Sequence, residues 1–493
     1  MGRAARVRWL AGWLAAVGVI LPGPAPCAAA EQEVDRRASW PNGPLVASGR
    51  WITDATGAKV TYVGVNWPGS LETMIPEGLQ YQSVEAIVSK VKSLGMNAIR
   101  LTYATEMVDQ YYDNGEKDVP IQDAFANALG QDDGAAIYNK VVANNPSFGA
   151  ETTRLQVYDA IAAECAKQEI YLHLDNHISK AGWCCSPLDG NSWWGDTYFD
   201  VGNWTRGLSF MAEHGKTWSS LTSMSLRNEP RISLTINELV NSYNWENWYK
   251  YVQDGANAIH AANTDVLIFL AGLDSDKNLT AVVQGTALEP GSDTFNRNDF
   301  DGYGDDKLVL ELHVYDNIFG PPSIGCPVVT QNLVDAGFAT LSSGAANQFP
   351  LVVTEFGFPQ NTTTDEDAYA SCLLDYFSSQ NAGWMIWSLG GSYYIREDTL
   401  DRDEEWGLLS HDWSSWRSPD FVNALITPAV EASTAPISGG DDSGGSSGDS
   451  SDDGSDDQSD DKPSPASGLS PSRVNIVMAL GIFGAAILGS YIS

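Results

Sequence analysis

Two glutamates carry the chemistry that this 493-residue sequence could perform. Glu229 stands in Ser223-Met224-Ser225-Leu226-Arg227-Asn228-Glu229-Pro230, and Glu355 in Leu351-Val352-Val353-Thr354-Glu355-Phe356-Gly357. Each closes a short apolar run that reads as a β-strand. A carboxylate at a strand exit costs desolvation free energy unless something uses it. A facing pair is what cleavage of a glycosidic bond needs: one group protonates the leaving oxygen, the other attacks the sugar or activates water.

Elements of fixed direction must bring residues so far apart in sequence together. Between about residues 45 and 430, β-rich runs recur at Val60 to Trp67, Ala98 to Tyr103, Ile170 to His177, Ser223 to Glu229, Asp265 to Gly272, Leu308 to Tyr315, Leu351 to Gly357 and Trp384 to Gly390. Several are apolar throughout, as strands covered on both faces should be. Helical patterns such as Ser83 to Leu94 and Thr153 to Lys167 separate them. Eight such units predict an α/β chain folded as a (β/α)8 TIM barrel, with its site at the C-terminal ends of the strands. The strand ends, read in order, give Asn66-Trp67, Arg100 with Tyr103, His177, Asn228-Glu229, His313 with Tyr315, Glu355 and Trp387. Only the fifth run, ending Leu270-Ala271-Gly272, offers no functional group.

In order and strand assignment, Ile99-Arg100-Leu101, Leu174-Asp175-Asn176-His177, Arg227-Asn228-Glu229-Pro230, His313-Val314-Tyr315, Thr354-Glu355-Phe356-Gly357 and Trp384 to Trp387 with Ser388 resemble glycoside hydrolase family 5, from residue 45 to about 415. The resemblance implies that Glu229 is the acid/base and Glu355 the nucleophile of a retaining mechanism. Arg100 and Tyr315 would keep Glu355 ionised, and the charge of Glu355 would raise the proton affinity of Glu229. Asn228 would bind the sugar 2-hydroxyl, His177 another hydroxyl, and His313 would orient Glu229. Trp387 would be the floor on which a sugar ring stacks, with Trp67, Trp183, Trp193, Trp194 and Trp406 as further candidate platforms. The chain departs from compact members in an insertion from Glu106 to Phe148 and in a Cys184-Cys185 loop, both bordering the cleft.

The function expected is endo-β-1,4-glucanase action on cellulose or mixed-linkage glucan. The alternatives are a neighbouring β-glycanase such as a mannanase, an exo-acting β-glucosidase or glucan-remodelling enzyme, and a non-catalytic wall-binding protein. Neither a metal nor an organic cofactor is implied, and the chain is expected to be a monomer. A net charge of −35 with pI near 4.3 argues against a nucleic-acid partner and suits a neutral glycan.

The two ends point to export. Arg3, Arg6 and Arg8 precede an apolar run from Trp9 to Leu21 and the small residues Ala28-Ala29-Ala30, the pattern of a signal peptide over residues 1–30. After a barrel body expected over 31–430, residues 431–470 read as a disordered acidic stalk, where nine Asp face one Lys. The apolar tail, 471–493, follows the small residues Ala466-Ser467-Gly468 and a polar spacer, as a glycosylphosphatidylinositol anchor signal does; an ordinary membrane helix is the alternative. Either places the body at the cell surface. With Cys27 in the leader, Cys165, Cys184, Cys185, Cys326 and Cys372 are left, which two disulfides and one thiol would accommodate. Asn203, Asn278 and Asn361 head N-glycosylation sequons.

Overall fold

The computed structural model describes residues 40–315, 322–360 and 364–437. The expected signal peptide, most of the stalk, the apolar tail and the Asn361 sequon lie outside them. Eight parallel strands close into a barrel: β1 Val63–Trp67, β2 Ala98–Ala104, β3 Tyr171–Ile178, β4 Leu221–Ser225, β5 Leu267–Leu270, β6 Leu308–Val314, β7 Leu351–Phe356 and β8 Gly383–Ile386. Each pairs with its neighbours in sequence and β8 closes on β1, through Trp384 opposite Val63. The expected TIM barrel is therefore the fold.

Local chemistry starts the helices where the sequence marks them. The Ser83 side chain accepts the Ala86 N–H ahead of helix Val84–Ser93. Thr153 and Gln156 form a reciprocal capping box ahead of helix Arg154–Lys167, which satisfies two otherwise orphaned amides. Helices Thr105–Asp113, Ile121–Leu129 and Gln131–Asn144 fill the insertion after β2. Helix Thr427–Thr434 crosses the boundary expected at residue 430; its Ala429, Val430 and Ser433 are buried, and Ser433 Oγ accepts the Trp384 indole N–H at 2.9 Å. The body thus extends at least to Thr434.

Successive strand side chains point to opposite sides of the sheet, and along the barrel axis this produces layers. Ala98, Leu267, Phe269, Val309, Val352 and Met385 form an apolar floor with Leu45 and Ile52 of the N-terminal segment. Two residues further up β6, buried Glu311 accepts hydroxyl hydrogen bonds from Ser225 at 2.7 Å and Thr354 at 3.0 Å. Another two residues along stands His313, at the level of the two glutamates. An apolar base under a polar middle leaves the mouth as the place where charge is concentrated.

Candidate active site

Glu355 leaves β7 at a register shift against β6, which sets it opposite His313. Its two oxygens have separate partners: Arg100 Nη1 donates to Oε2 at 2.9 Å and Tyr315 Oη donates to Oε1 at 2.6 Å. Arg100 is fully buried and is itself held on several sides. Its Nη1 donates to Asn66 Oδ1 and its Nη2 to Asn228 Oδ1, each at 2.8 Å, while Asp175 Oδ1 lies 3.0 Å from Nη2. Burial opposes charge on Asp175, but Arg100 and the His177 hydrogen bond outweigh it and hold the carboxyl down at about 2. Burial and the charge of Glu355 push the Tyr315 phenol upwards, so it stays a donor.

Glu229 is reached differently. The β4 ladder stops at Ser225, so a short extension beyond the strand delivers Asn228 and Glu229, where the sequence had placed them at a strand end. Backbone hydrogen bonds from Leu226 to Phe269 and from Asn228 to Asn176 hold the extension against β5 and β3. Glu229 adopts φ 48°, a left-handed conformation uncommon for a residue with a Cβ. Its Oε1 lies 3.0 Å from His313 Nδ1. One oxygen of each glutamate and a nitrogen of His313 all lie within 4.8 Å of one another.

The expectation that Glu355 would raise the proton affinity of Glu229 is overturned. Burial pushes that way, but the His313 hydrogen bond, Lys277 and Arg231 reverse it and hold Glu229 down at about 2. His313 moves oppositely: against burial, Glu355, Asp276 and Glu229 push it up to about 9. The ring between the carboxylates takes the proton, because one imidazolium answers several negative groups at once. His313 Nδ1, 3.0 Å from Glu229 Oε1, is the nitrogen through which a proton can pass to the acid.

The remaining residues sort by the face they occupy. His177 Nδ1 meets Asp175 Oδ2 at 2.7 Å, and its ring stacks on Trp387 at 5.6 Å between centroids. Trp183 meets Trp387 edge-on at 6.1 Å and Trp406 packs near Tyr315; both indoles are partly exposed. Trp67 does not belong to this surface. Asn66 points into the barrel to reach Arg100, so the next residue points outwards, and Trp67 is fully buried with its indole N–H donating to the Glu77 carbonyl. Trp193 and Trp194 are likewise packed among Tyr243, Phe199, Trp204 and Tyr251.

Among the described residues the cysteines form two disulfides, Cys184–Cys185 and Cys326–Cys372, with Cys165 a buried thiol. The adjacent pair sits at the acid: Asn228 Nδ2 lies 3.6 Å from Cys184 Sγ and 3.5 Å from Cys185 Sγ. Asp175 and Asp276 are the members of this cluster that reading strand ends overlooked. Asp175 had a usable signal, because it shares a strand face with His177 two residues on.

A family model described as cellulase (glycosyl hydrolase family 5) matches residues 53–392. A glycosyl hydrolase 5 family protein of Chamaecyparis obtusa is 34% identical over 394 residues, covering 78% of this chain and 65% of that one, so the chain spans about two-thirds of that relative's length. An endoglucanase of Paenibacillus polymyxa is 24% identical over 402 residues, covering 78% and 87% of the respective chains. Among solved structures, a variant endocellulase of Pyrococcus horikoshii in complex with cellotetraose superposes with a TM-score of 0.58 at 19% identity, over 80% of this chain and 99% of the other. The catalytic domain of the major endoglucanase of Xanthomonas campestris gives 0.53 at 20% identity, over 79% and 99%. With its motifs set around one barrel mouth and the family model matched over most of its length, the chain belongs to glycosyl hydrolase family 5.

Proposed function

We propose that this protein is a retaining endo-β-1,4-glucanase acting on cellulose or mixed-linkage glucan. The observation that carries the reading is the approach of Glu229 and Glu355 oxygens within 4.8 Å. Retaining enzymes hold their carboxyl groups about 5 to 5.5 Å apart, whereas inverting ones need about 6.5 to 9.5 Å to admit a water. The name of the Paenibacillus relative and the cellotetraose bound by the Pyrococcus endocellulase support a β-1,4-glucan as substrate.

In this mechanism a Glu355 oxygen attacks the anomeric carbon, and the bond to the leaving glucan breaks as Glu229 protonates its oxygen. That proton reaches Glu229 from His313 across their hydrogen bond, so the step leaves Glu229 a carboxylate beside a neutral imidazole. Glu229 then takes a proton from water, whose oxygen displaces Glu355 from the anomeric carbon, so two inversions give net retention. Arg100 and Tyr315 hold the nucleophile's two oxygens in a fixed plane. The Asn228 amide, oriented through Oδ1 by Arg100, presents Nδ2 to the sugar 2-hydroxyl, and Trp387, backed by His177, forms the floor under the ring.

The test is hydrolysis of carboxymethylcellulose, barley glucan, laminarin and mannan, followed by reducing ends, viscosity and the anomer first released. A rapid fall in viscosity on the first two substrates with β-anomer released first is expected. A first-formed α-anomer would overturn retention, and preference for mannan or laminarin would overturn the substrate. The competing reading of a non-catalytic wall-binding protein gives no reducing ends at all.

The reading includes the place of action. The basic-apolar leader, acidic stalk and apolar tail support export and a lipid anchor at the cell surface. Phosphatidylinositol-specific phospholipase C should release the protein from intact cells; retention, with free secretion of a chain cut at Ser470, would favour a membrane helix. Among the described residues no helix is long and apolar enough to cross a membrane.

A further inference from the structure

The fifth strand, silent in sequence, is followed by an unusual turn. Asp274, Ser275 and Asp276 have φ of 56°, 57° and 59°, three successive left-handed residues with none of them glycine. Such conformations are strained for residues with a Cβ and persist where the surroundings over-determine them. Here they do: Asp274 N–H donates to Tyr243 Oη at 2.6 Å, Ser275 N–H donates to the Pro230 carbonyl, and Leu273 and Asn278 exchange backbone hydrogen bonds. The turn delivers Asp276, fully buried, beneath the acid.

Asp276 Oδ2 accepts the backbone N–H of Glu229 at 2.9 Å and lies 3.6 Å from His313 Nε2, beyond hydrogen-bond length, so it acts on the ring through its field, and Nε2 has no hydrogen-bond partner among the described residues. The His313 ring is therefore sandwiched: Nδ1 faces Glu229 Oε1 at 3.0 Å and Glu355 Oε1 at 3.8 Å, and Nε2 faces Asp276. We infer that Asp276 is a positioning residue for the acid half of the site, fixing the left-handed backbone of Glu229 and keeping a proton on His313 Nε2. The mobile proton is then the one on Nδ1, the nitrogen that faces Glu229. When it moves to Glu229 Oε1, the neutral ring keeps Nε2–H against Asp276, and no proton is lost from the cluster. The role given to Asp276 rests on Glu229 being the acid.

The other charged groups felt here are Glu311 from β6, Arg100 from β2, Lys277 from the turn itself and Arg231 two residues beyond the acid. Burial raises the proton affinity of Asp276 and the charge of His313 opposes it.

Two measurements test this. Asp276→Asn keeps an oxygen for the Glu229 amide but removes the charge facing Nε2. It should lower kcat/KM on cellotetraose about tenfold, where the leaving oxygen needs a proton, and change it little on a dinitrophenyl cellobioside, which does not. The alkaline limb of kcat/KM should move down by about one pH unit, because a nearby negative charge raised it. Equal losses on both substrates with an unmoved limb would reduce Asp276 to a structural group and overturn the inference. In the wild-type protein, nitrogen NMR of its six histidines should find neutral His313 as the Nε2–H tautomer; the Nδ1–H tautomer would overturn it whatever the variant does. Were the wild type inactive on every glucan, the proposed function would fall, while the tautomer would still decide the arrangement.

Discussion

The two glutamates are the same residue at the same barrel mouth, yet their surroundings are built oppositely. Glu355 ends a strand, is gripped by a fixed cation and a phenol, and is backed by the buried lattice of Arg100, Asp175, Asn66 and Asn228. Glu229 stands beyond its strand on left-handed backbone, and its partner is a titratable imidazole backed by a second carboxylate. A nucleophile has to stay charged and still, which a permanent cation supplies. An acid/base must gain and lose a proton each turnover, which calls for a neighbour that titrates.

The comparison breaks most visibly at the glutamates themselves. Glu355→Ala should abolish turnover of polymer, since the covalent route is gone, and Glu229→Ala should lose about 10²- to 10⁴-fold on unactivated bonds. Azide separates the roles. On an aryl glycoside, Glu229→Ala still forms the α-linked intermediate, and azide should displace it to give the β-glycosyl azide. In Glu355→Ala, azide fills the nucleophile's cavity and should give the α-azide. The reverse products would exchange the two assignments.

A second break falls on the nucleophile's support. Arg100 is fully buried between Asp175 and Glu355, so Arg100→Met deprives two buried carboxylates of the cation they share. Stability should drop by about 3 to 5 kcal/mol, readable in the urea midpoint, because removing one partner of a buried pair strands the other. A midpoint within experimental error of wild type would show that the lattice is dispensable.

The barrel, its strand order and the paired glutamates are legible in the sequence because each leaves a local mark: an apolar run, a capping residue, a polar residue where Val or Ile would continue. Misplaced residues share a different cause. Trp67 adjoins Asn66 at a strand end and so reads as a cleft residue, although side-chain alternation sends it outwards to the Glu77 carbonyl. Glu229 was assigned to a strand that ends at Ser225. Asp276 lies beyond β5, and nothing in Leu273-Asp274-Ser275-Asp276 announces that its backbone turns left-handed three times. Proton affinities were the least legible, since that of Glu229 depends on His313 standing between the carboxylates, a matter of three strands meeting.

The acid half should also show in the stability of the protein. His313 is raised from 6.5 to about 9, so its contribution is complete below pH 6.5 and disappears as pH rises through about 9. Glu229 is lowered from 4.5 to about 2, so its contribution holds above pH 4.5 and fades as pH falls towards 2. His313→Gln should flatten the alkaline decline measured by thermal unfolding. A decline as steep as in wild type would place its origin elsewhere.

The smallest effect is expected where the halves touch. The Asn228 amide is held from the nucleophile side by Arg100 Nη2 at 2.8 Å and from the acid side by the sulfurs of Cys184 and Cys185 at 3.6 and 3.5 Å. A charge-assisted hydrogen bond at that length outweighs a long contact to sulfur, so Arg100 should decide the orientation of Asn228 and the disulfide only trim it. The double change Cys184→Ser with Cys185→Ser should therefore lower kcat/KM by less than about tenfold, the worth of one ordinary hydrogen bond. Asn228→Ala should cost more, because it removes the group that meets the 2-hydroxyl. If the serine variant loses as much as Asn228→Ala, the sulfurs hold that amide as firmly as Arg100 does, and the division into a rigid nucleophile side and a yielding acid side would have to be redrawn through Asn228.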